Sequence, residues 1–215
     1  MAITRNERVL IAISHIASGS NDYLYNFIET SGRTTMETVL GDDYERIVRL
    51  YGANATLDRL VNAIQAQGAR TAIKRIDLIV MLHGSPGRLV FRDGTHTSME
   101  VRDRIRALNL GAKLRWVYST ACYGNSHSAH FIAAGFNSAI GSRKVNANAA
   151  VEFIPLLSLW QFGTKLSDCL APTVPPTAAA DALARGFGQL TNKPWKNDVD
   201  SRKVLRGNRN LRIST

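Results

Sequence analysis

The stretch Ile76-Asp77-Leu78-Ile79-Val80-Met81-Leu82, running directly into His83-Gly84-Ser85-Pro86-Gly87, sets the reading of the chain. A short aliphatic run stopped by Gly and Pro reads as a β-strand, here with an imidazole at its C-terminal tip. A second run of the same kind, Leu114-Arg115-Trp116-Val117-Tyr118-Ser119-Thr120-Ala121, leads into Cys122-Tyr123-Gly124-Asn125 and carries a thiol at its tip. Parallel neighbours in a sheet lie about 4.8 Å apart. Two such tips then share one sheet edge, where open α/β folds place their sites. An imidazole and a thiol on that edge are a base and a nucleophile. His83 and Cys122 are therefore the candidate catalytic residues.

Outward from these two strands, the rest of the chain alternates strand and helix. Arg8 to Ile13 is a continuous apolar run and reads as a buried first strand, followed by a loop from Ser14 to Asp22. Tyr23 to Thr30 reads as a helix capped by Asn21 or Asp22 and ended by Ser31-Gly32-Arg33. Tyr44 to Tyr51 is a second strand, and Leu57, Leu60, Val61 and Ile64 form the apolar face of a helix opened by Asn54-Ala55-Thr56. Gly84 to Thr97 reads as a loop, Ser98 to Leu108 and Ser126 to Ala134 as helices, and Phe136 to Ile140 as a strand stopped by Gly141-Ser142. Asn146 to Phe162 is expected to be one long helix interrupted at Pro155. The last helix is expected over Thr177 to Phe187, with little packing after Leu190.

This alternation predicts a mostly parallel sheet covered on both faces. The expected architecture is a three-layer α/β/α sandwich over residues 1–190, with a basic tail over 191–215.

A length of 215 residues fits one domain with its own core, and 45% hydrophobic against 20% charged residues is an ordinary globular balance. No apolar run approaches the roughly 18 residues of a membrane span. Val9 to Ile13 is too short for a secretory leader, so the expected location is the cytoplasm. The two cysteines, Cys122 and Cys169, are then not expected to be bridged, and neither sits in a Cys-x-x-Cys pair that would argue for zinc. Cys169 reads as a small buried apolar residue. His127 and His130 read as surface or loop residues, since no carboxylate or thiol completes a metal set with them. No cofactor is implied.

The formal charge is +10, and residues 193–212 hold seven basic residues against Asp198 and Asp200. Such a tail grips an acidic partner or is simply a solvated end. Nothing resembling a zinc finger or an aromatic-interleaved basic motif supports nucleic acid as the partner.

Leu82-His83-Gly84 and Thr120-Ala121-Cys122-Tyr123-Gly124, on successive strands in that order, give the chain a resemblance to the caspase-like cysteine peptidases. Ala53-Asn54-Ala55-Thr56 before the His strand supports it, and Gly135 to Ser142 looks like the strand after the Cys segment in the CHAT branch. The resemblance runs from about Arg8 to Phe187. It departs from the caspase signature, Gln-Ala-Cys-[Arg/Gln/Gly]-Gly with its His about 50 residues upstream. Here Thr120 replaces the Gln, Tyr123 the variable residue, and His83 lies 39 residues before Cys122.

The resemblance implies an endopeptidase acting on protein or peptide substrates through a Cys122–His83 dyad and a thioester, with an activating protein partner among its expected partners. It implies an oxyanion hole from the backbone N–H groups of Gly84 and Cys122. In relatives that cut after Arg or Lys an acid often stands two residues before the Cys; Thr120 occupies that position. Asp22 occupies a second such place, although it serves equally as a helix cap. The alternative is an inactive scaffold or adaptor on the same fold. A serine hydrolase is disfavoured by the lack of a Gly-x-Ser-x-Gly elbow.

Overall fold

The computed structural model describes residues 2–17, 23–146 and 151–215. Six strands form the main sheet: β1 (Arg8–His15), β2 (Arg46–Tyr51), β3 (Arg75–Ser85), β6 (Leu114–Ser119), β7 (Ser138–Ser142) and β8 (Lys203–Gly207). Their order is β2-β1-β3-β6-β7-β8. All neighbours are parallel except β8, which runs antiparallel along β7. The short strands β4 (Arg88–Phe91) and β5 (Gly94–Thr97) make an antiparallel hairpin on the end of β3.

Both faces of the sheet are covered, which explains why its strands read as continuous apolar runs rather than alternating ones. Successive residues alternate between two cores. Val9, Ile11 and Ile13 of β1, with Ile76, Leu78, Val80 and Leu82 of β3, pack with α2 (Leu57–Ala69), α3 (Ser98–Arg106) and α4 (Gly124–Ala133). Leu10 and Ala12, Ile79 and Met81, and Trp116 and Tyr118 face the other way, onto α1 (Tyr23–Leu40) and α5 (Phe153–Gln161). The molecule is the expected three-layer α/β/α sandwich with a mostly parallel sheet.

Several local expectations are corrected. Helix α1 continues through Ser31-Gly32-Arg33 to Leu40. Ser31 turns its hydroxyl back onto the Phe27 carbonyl at 2.7 Å, and Gly32 lies close under the Phe153 ring. Tertiary packing thus carries the helix over a weak local sequence. The supposed loop after His83 is largely the β4–β5 hairpin; Gly87 turns β3 into β4 and Gly94 turns β4 into β5, both at positive φ. Gly141 and Ser142 belong to β7 rather than ending it. The long helix from Asn146 is replaced by α5, with Pro155 in its first turn, where a missing N–H costs nothing. The start of that expected helix, at 147–150, lies outside the described residues. The last helix, α7, spans Val174–Leu190 and is preceded by the short α6 (Leu166–Leu170).

The polar segment after Leu190 packs more than expected. It supplies β8, and Leu211 and Ile213 are buried. The reason is a buried ion pair at the N-terminal end of the sheet. Asp77 of β3 and Arg115 of β6 meet with no exposed side-chain surface. Tyr44 donates to Asp77 at 2.6 Å, and Arg115 donates to the Ile213 and Thr215 carbonyls. Arg8 reaches the Ile213 carbonyl at 2.8 Å. Two buried guanidinium groups that need acceptors thus fix the 211–215 segment against the sheet.

Candidate active site

The β3–β6 ladder sets the geometry. Val80 stands opposite Ser119, and the Thr120 N–H continues the ladder to the Val80 carbonyl at 2.9 Å. Carried forward residue by residue, this register brings His83 level with Cys122. The packing of the next residue agrees: a Cβ on Gly84 would lie 2.7 Å from the Cys122 carbonyl oxygen and 3.1 Å from the Ala121 Cβ. Only glycine permits so close an approach of the two backbones.

His83 Nε2 lies 2.7 Å from the Ile16 carbonyl oxygen. A carbonyl only accepts, so Nε2 carries the hydrogen and the neutral ring keeps its lone pair on Nδ1. The Tyr25 ring meets the imidazole edge-on, with centroids 4.9 Å apart. The tautomer is therefore set by the turn that follows β1, and the ring is flanked by Tyr25 of α1.

That turn is itself clamped from α1. Glu29, buried to 4% exposure, accepts from Ser14 Oγ at 2.6 Å, from the Ile16 N–H at 3.1 Å and from the Ala17 N–H at 2.7 Å. Arg33, one turn further along α1, pairs with the same carboxylate and stacks on the Tyr51 ring. The chain of support runs from α1 through Glu29 to the Ile16 carbonyl and on to His83. Neither Glu29 nor Ile16 was singled out from the sequence. A carbonyl leaves no residue signature, and an acid inside a helix reads as solvated surface.

Cys122 is a free, half-buried thiol. The Asn146 N–H points at its sulfur at 3.4 Å, and Asn146 Nδ2 donates to the Thr120 carbonyl at 2.7 Å. Burial pushes the thiol pKa up, against the opposing Asn146 N–H and the Lys203 charge. At rest the sulfur is thus protonated, and a base must take the proton during attack. Tyr123 holds φ at 57°, in the left-handed region that a bulky side chain rarely enters. Its N–H donates to the Lys144 carbonyl at 2.7 Å, and its hydroxyl bonds Asp198. This turn swings the chain from β6 into α4, whose Gly124 packs backbone to backbone on Gly141 of β7. The N-terminus of α4 follows the thiol at once, where the helix dipole favours negative charge.

The remaining candidates fall as follows. Thr120 is buried, and its hydroxyl faces the Val80 carbonyl at 3.3 Å. Asp22 lies outside the described residues. His127 is not a surface residue. It is fully buried on α4, its Nε2–H donates to the Ser85 carbonyl at 2.9 Å, and burial pushes its pKa down. It braces the end of β3 behind Gly84, whose added Cβ would sit 3.0 Å from its Cε1. Cys169 is buried, with its thiol pushed up to about 11 by burial and the Asp168 charge. No group of three metal-ligating side chains occurs among the described residues. No helix there is long and apolar enough to cross a membrane.

No protein-family model matches the chain, and no curated protein matches it in sequence. Solved structures do match in shape. Caspase-1 from Spodoptera frugiperda superposes with a TM-score of 0.61 at 11% identity, over 99% of this chain and 91% of that one. The Arg-specific cysteine proteinase gingipain R superposes at 0.56 and 13% identity, over 97% of this chain and 48% of that one. The complex of the pro- and mature domains of RgpB from Porphyromonas gingivalis gives 0.54 at 12% identity, over 96% and 49%. This chain thus spans about half the length of the gingipain chains. At such identities the agreement concerns the backbone: the chain has the caspase-like α/β fold, shared with these cysteine proteinases.

Proposed function

We propose that the chain is a cysteine endopeptidase in which Cys122 is the nucleophile and His83 the general base. The observation that carries this reading is the tethering of His83 Nε2–H to the Ile16 carbonyl. It leaves Nδ1 as the proton acceptor on the strand end next to Cys122. His83 takes the thiol proton as Cys122 Sγ bonds to the scissile carbonyl carbon. The carbonyl π electrons move onto oxygen, where the backbone N–H groups of Gly84 and Cys122 are the proposed donors. The imidazolium then gives its proton to the leaving amine as the C–N bond breaks, which leaves a thioester. Water, deprotonated by His83, displaces the thiolate and releases the acid product. Thr120, whose carbonyl is held by Asn146 Nδ2, is proposed to wall the P1 pocket, with Asp22 as the second candidate there.

A second reading, an inactive scaffold on the same fold, draws support from the burial that raises the Cys122 thiol. One experiment separates the two. A peptide library is digested with the purified chain and with Cys122→Ala and His83→Ala. Cleavage that disappears in both variants supports the peptidase. Absence of cleavage by the parent chain, with an unlabelled Cys122, supports the scaffold.

A further inference from the structure

Between strand β8 and the segment joining α6 to α7 lies a cavity of about 410 Å³. That is within the range of small-molecule sites. Four lining side chains are ionisable, namely Arg143, Arg202, Lys203 and Arg209, and all four are cationic. Two of these charges are already matched. Lys203 Nζ lies 2.6 Å from the buried Glu152 carboxylate, and Arg202 forks onto Asp200 at 2.8 and 2.7 Å. Arg143 and Arg209 form no ion pair among the described residues, although Asp200 lies within the field of Arg143. The lining therefore carries two exposed guanidinium groups, Arg143 and Arg209, that no ion pair among the described residues occupies, beside an apolar wall that includes Leu170 and Leu205.

We propose that this cavity, whose lining contains neither His83 nor Cys122, is a binding site for a phosphate monoester, a proposal that does not rest on the peptidase reading. A phosphate monoester carries about 1.5 to 2 negative charges at pH 7 and three acceptor oxygens. That matches two free guanidiniums in charge, and guanidinium forks pair with phosphate oxygens in a bidentate way. Leu170 and Leu205 give the ester's organic portion an apolar surface that inorganic phosphate leaves unused.

The test is thermal unfolding of the full chain at fixed ionic strength, titrated with phenyl phosphate, inorganic phosphate or sodium chloride. The expected result is a saturable rise in Tm with phenyl phosphate, half-saturating at least tenfold below inorganic phosphate. The double variant Arg143→Gln/Arg209→Gln should weaken that response tenfold or more, while Lys193→Gln/Lys196→Gln, off the cavity, should respond like the parent. In the parent chain itself, phenyl phosphate should protect Arg143 and Arg209 from phenylglyoxal, read by peptide mass spectrometry. A rise no larger than that with chloride, an unaltered response in the double variant, or unprotected arginines would overturn the site. Equal half-saturation by phenyl phosphate and inorganic phosphate would overturn the monoester assignment.

Discussion

Glu29 gives the sharpest test of how the site is held together. It touches no proposed reacting atom, yet three hydrogen bonds from the end of β1 and the turn after it converge on its two oxygens. Glu29→Ala strands the Ile16 and Ala17 N–H groups in a poorly hydrated place, at about 1–3 kcal/mol for each unsatisfied group. The clamp as a whole therefore loses roughly 2–6 kcal/mol. If a third to a half of that is felt as misplacement of the Ile16 carbonyl, kcat falls roughly 3- to 140-fold, at about 1.4 kcal/mol per decade. KM should change less than threefold, because Glu29 is a positioning residue. Glu29→Gln is the control. Its amide oxygen still serves the two N–H groups and its NH2 can donate to Ser14 Oγ, but that NH2 meets the Arg33 guanidinium donor where the carboxylate offered an acceptor, so part of the activity should return. The assay is kcat and KM on a peptide selected from the library, with far-UV circular dichroism to confirm folding. A folded Glu29→Ala with parental kcat would refute the chain of support from α1 to His83, and equal losses in Gln and Ala would point to a merely structural role.

Two further predictions concern the scaffold and the backbone of the site. Arg115→Met leaves the Asp77 carboxylate buried without its cation, and should lower the unfolding free energy by about 3–5 kcal/mol in urea titration. A loss below about 1 kcal/mol would mean that water reaches this pair. Gly84→Ala puts a methyl group 2.7 Å from the Cys122 carbonyl, a contact that forces the two strand ends apart. Activity should drop by about a hundredfold, as expected for an ångström-scale displacement of reacting groups, with the melting temperature showing the smaller change. Parental turnover in a folded Gly84→Ala chain would contradict the close approach.

Much of the layer order was legible because it rests on burial. Runs such as Val9 to Ile13 and Ile76 to Leu82 are apolar on both parities, which only a doubly covered strand requires. Gly and Pro punctuation located the tips that carry His83 and Cys122. What escaped was decided by tertiary contacts. Helix α1 crosses Ser31-Gly32-Arg33 because Gly32 fits under Phe153, more than a hundred residues away in sequence. The segment beyond Leu190 looks solvated by composition, but Arg8 and Arg115 need its carbonyls. At the site, the two residues read as reactive were visible by type. Their supports, the Ile16 carbonyl, the Glu29 carboxylate and the Asn146 N–H, act through backbone atoms or ordinary side chains that no local pattern marks. His127 misled for the converse reason: on a helix with a weak apolar face it reads as exposed, whereas its ring is enclosed beneath the end of β3.

The most direct measurement is the site and rate of covalent capture by a peptidyl acyloxymethyl ketone, read by intact mass and peptide mapping. The parent chain should gain one adduct, on Cys122, and none on Cys169, whose buried thiol is pushed up to about 11. His83→Ala should slow capture at least a hundredfold, because the half-buried Cys122 thiol is mostly protonated at neutral pH without a base beside it. Capture at the same rate in His83→Ala, or adducts distributed over both cysteines, would contradict a working Cys122–His83 pair.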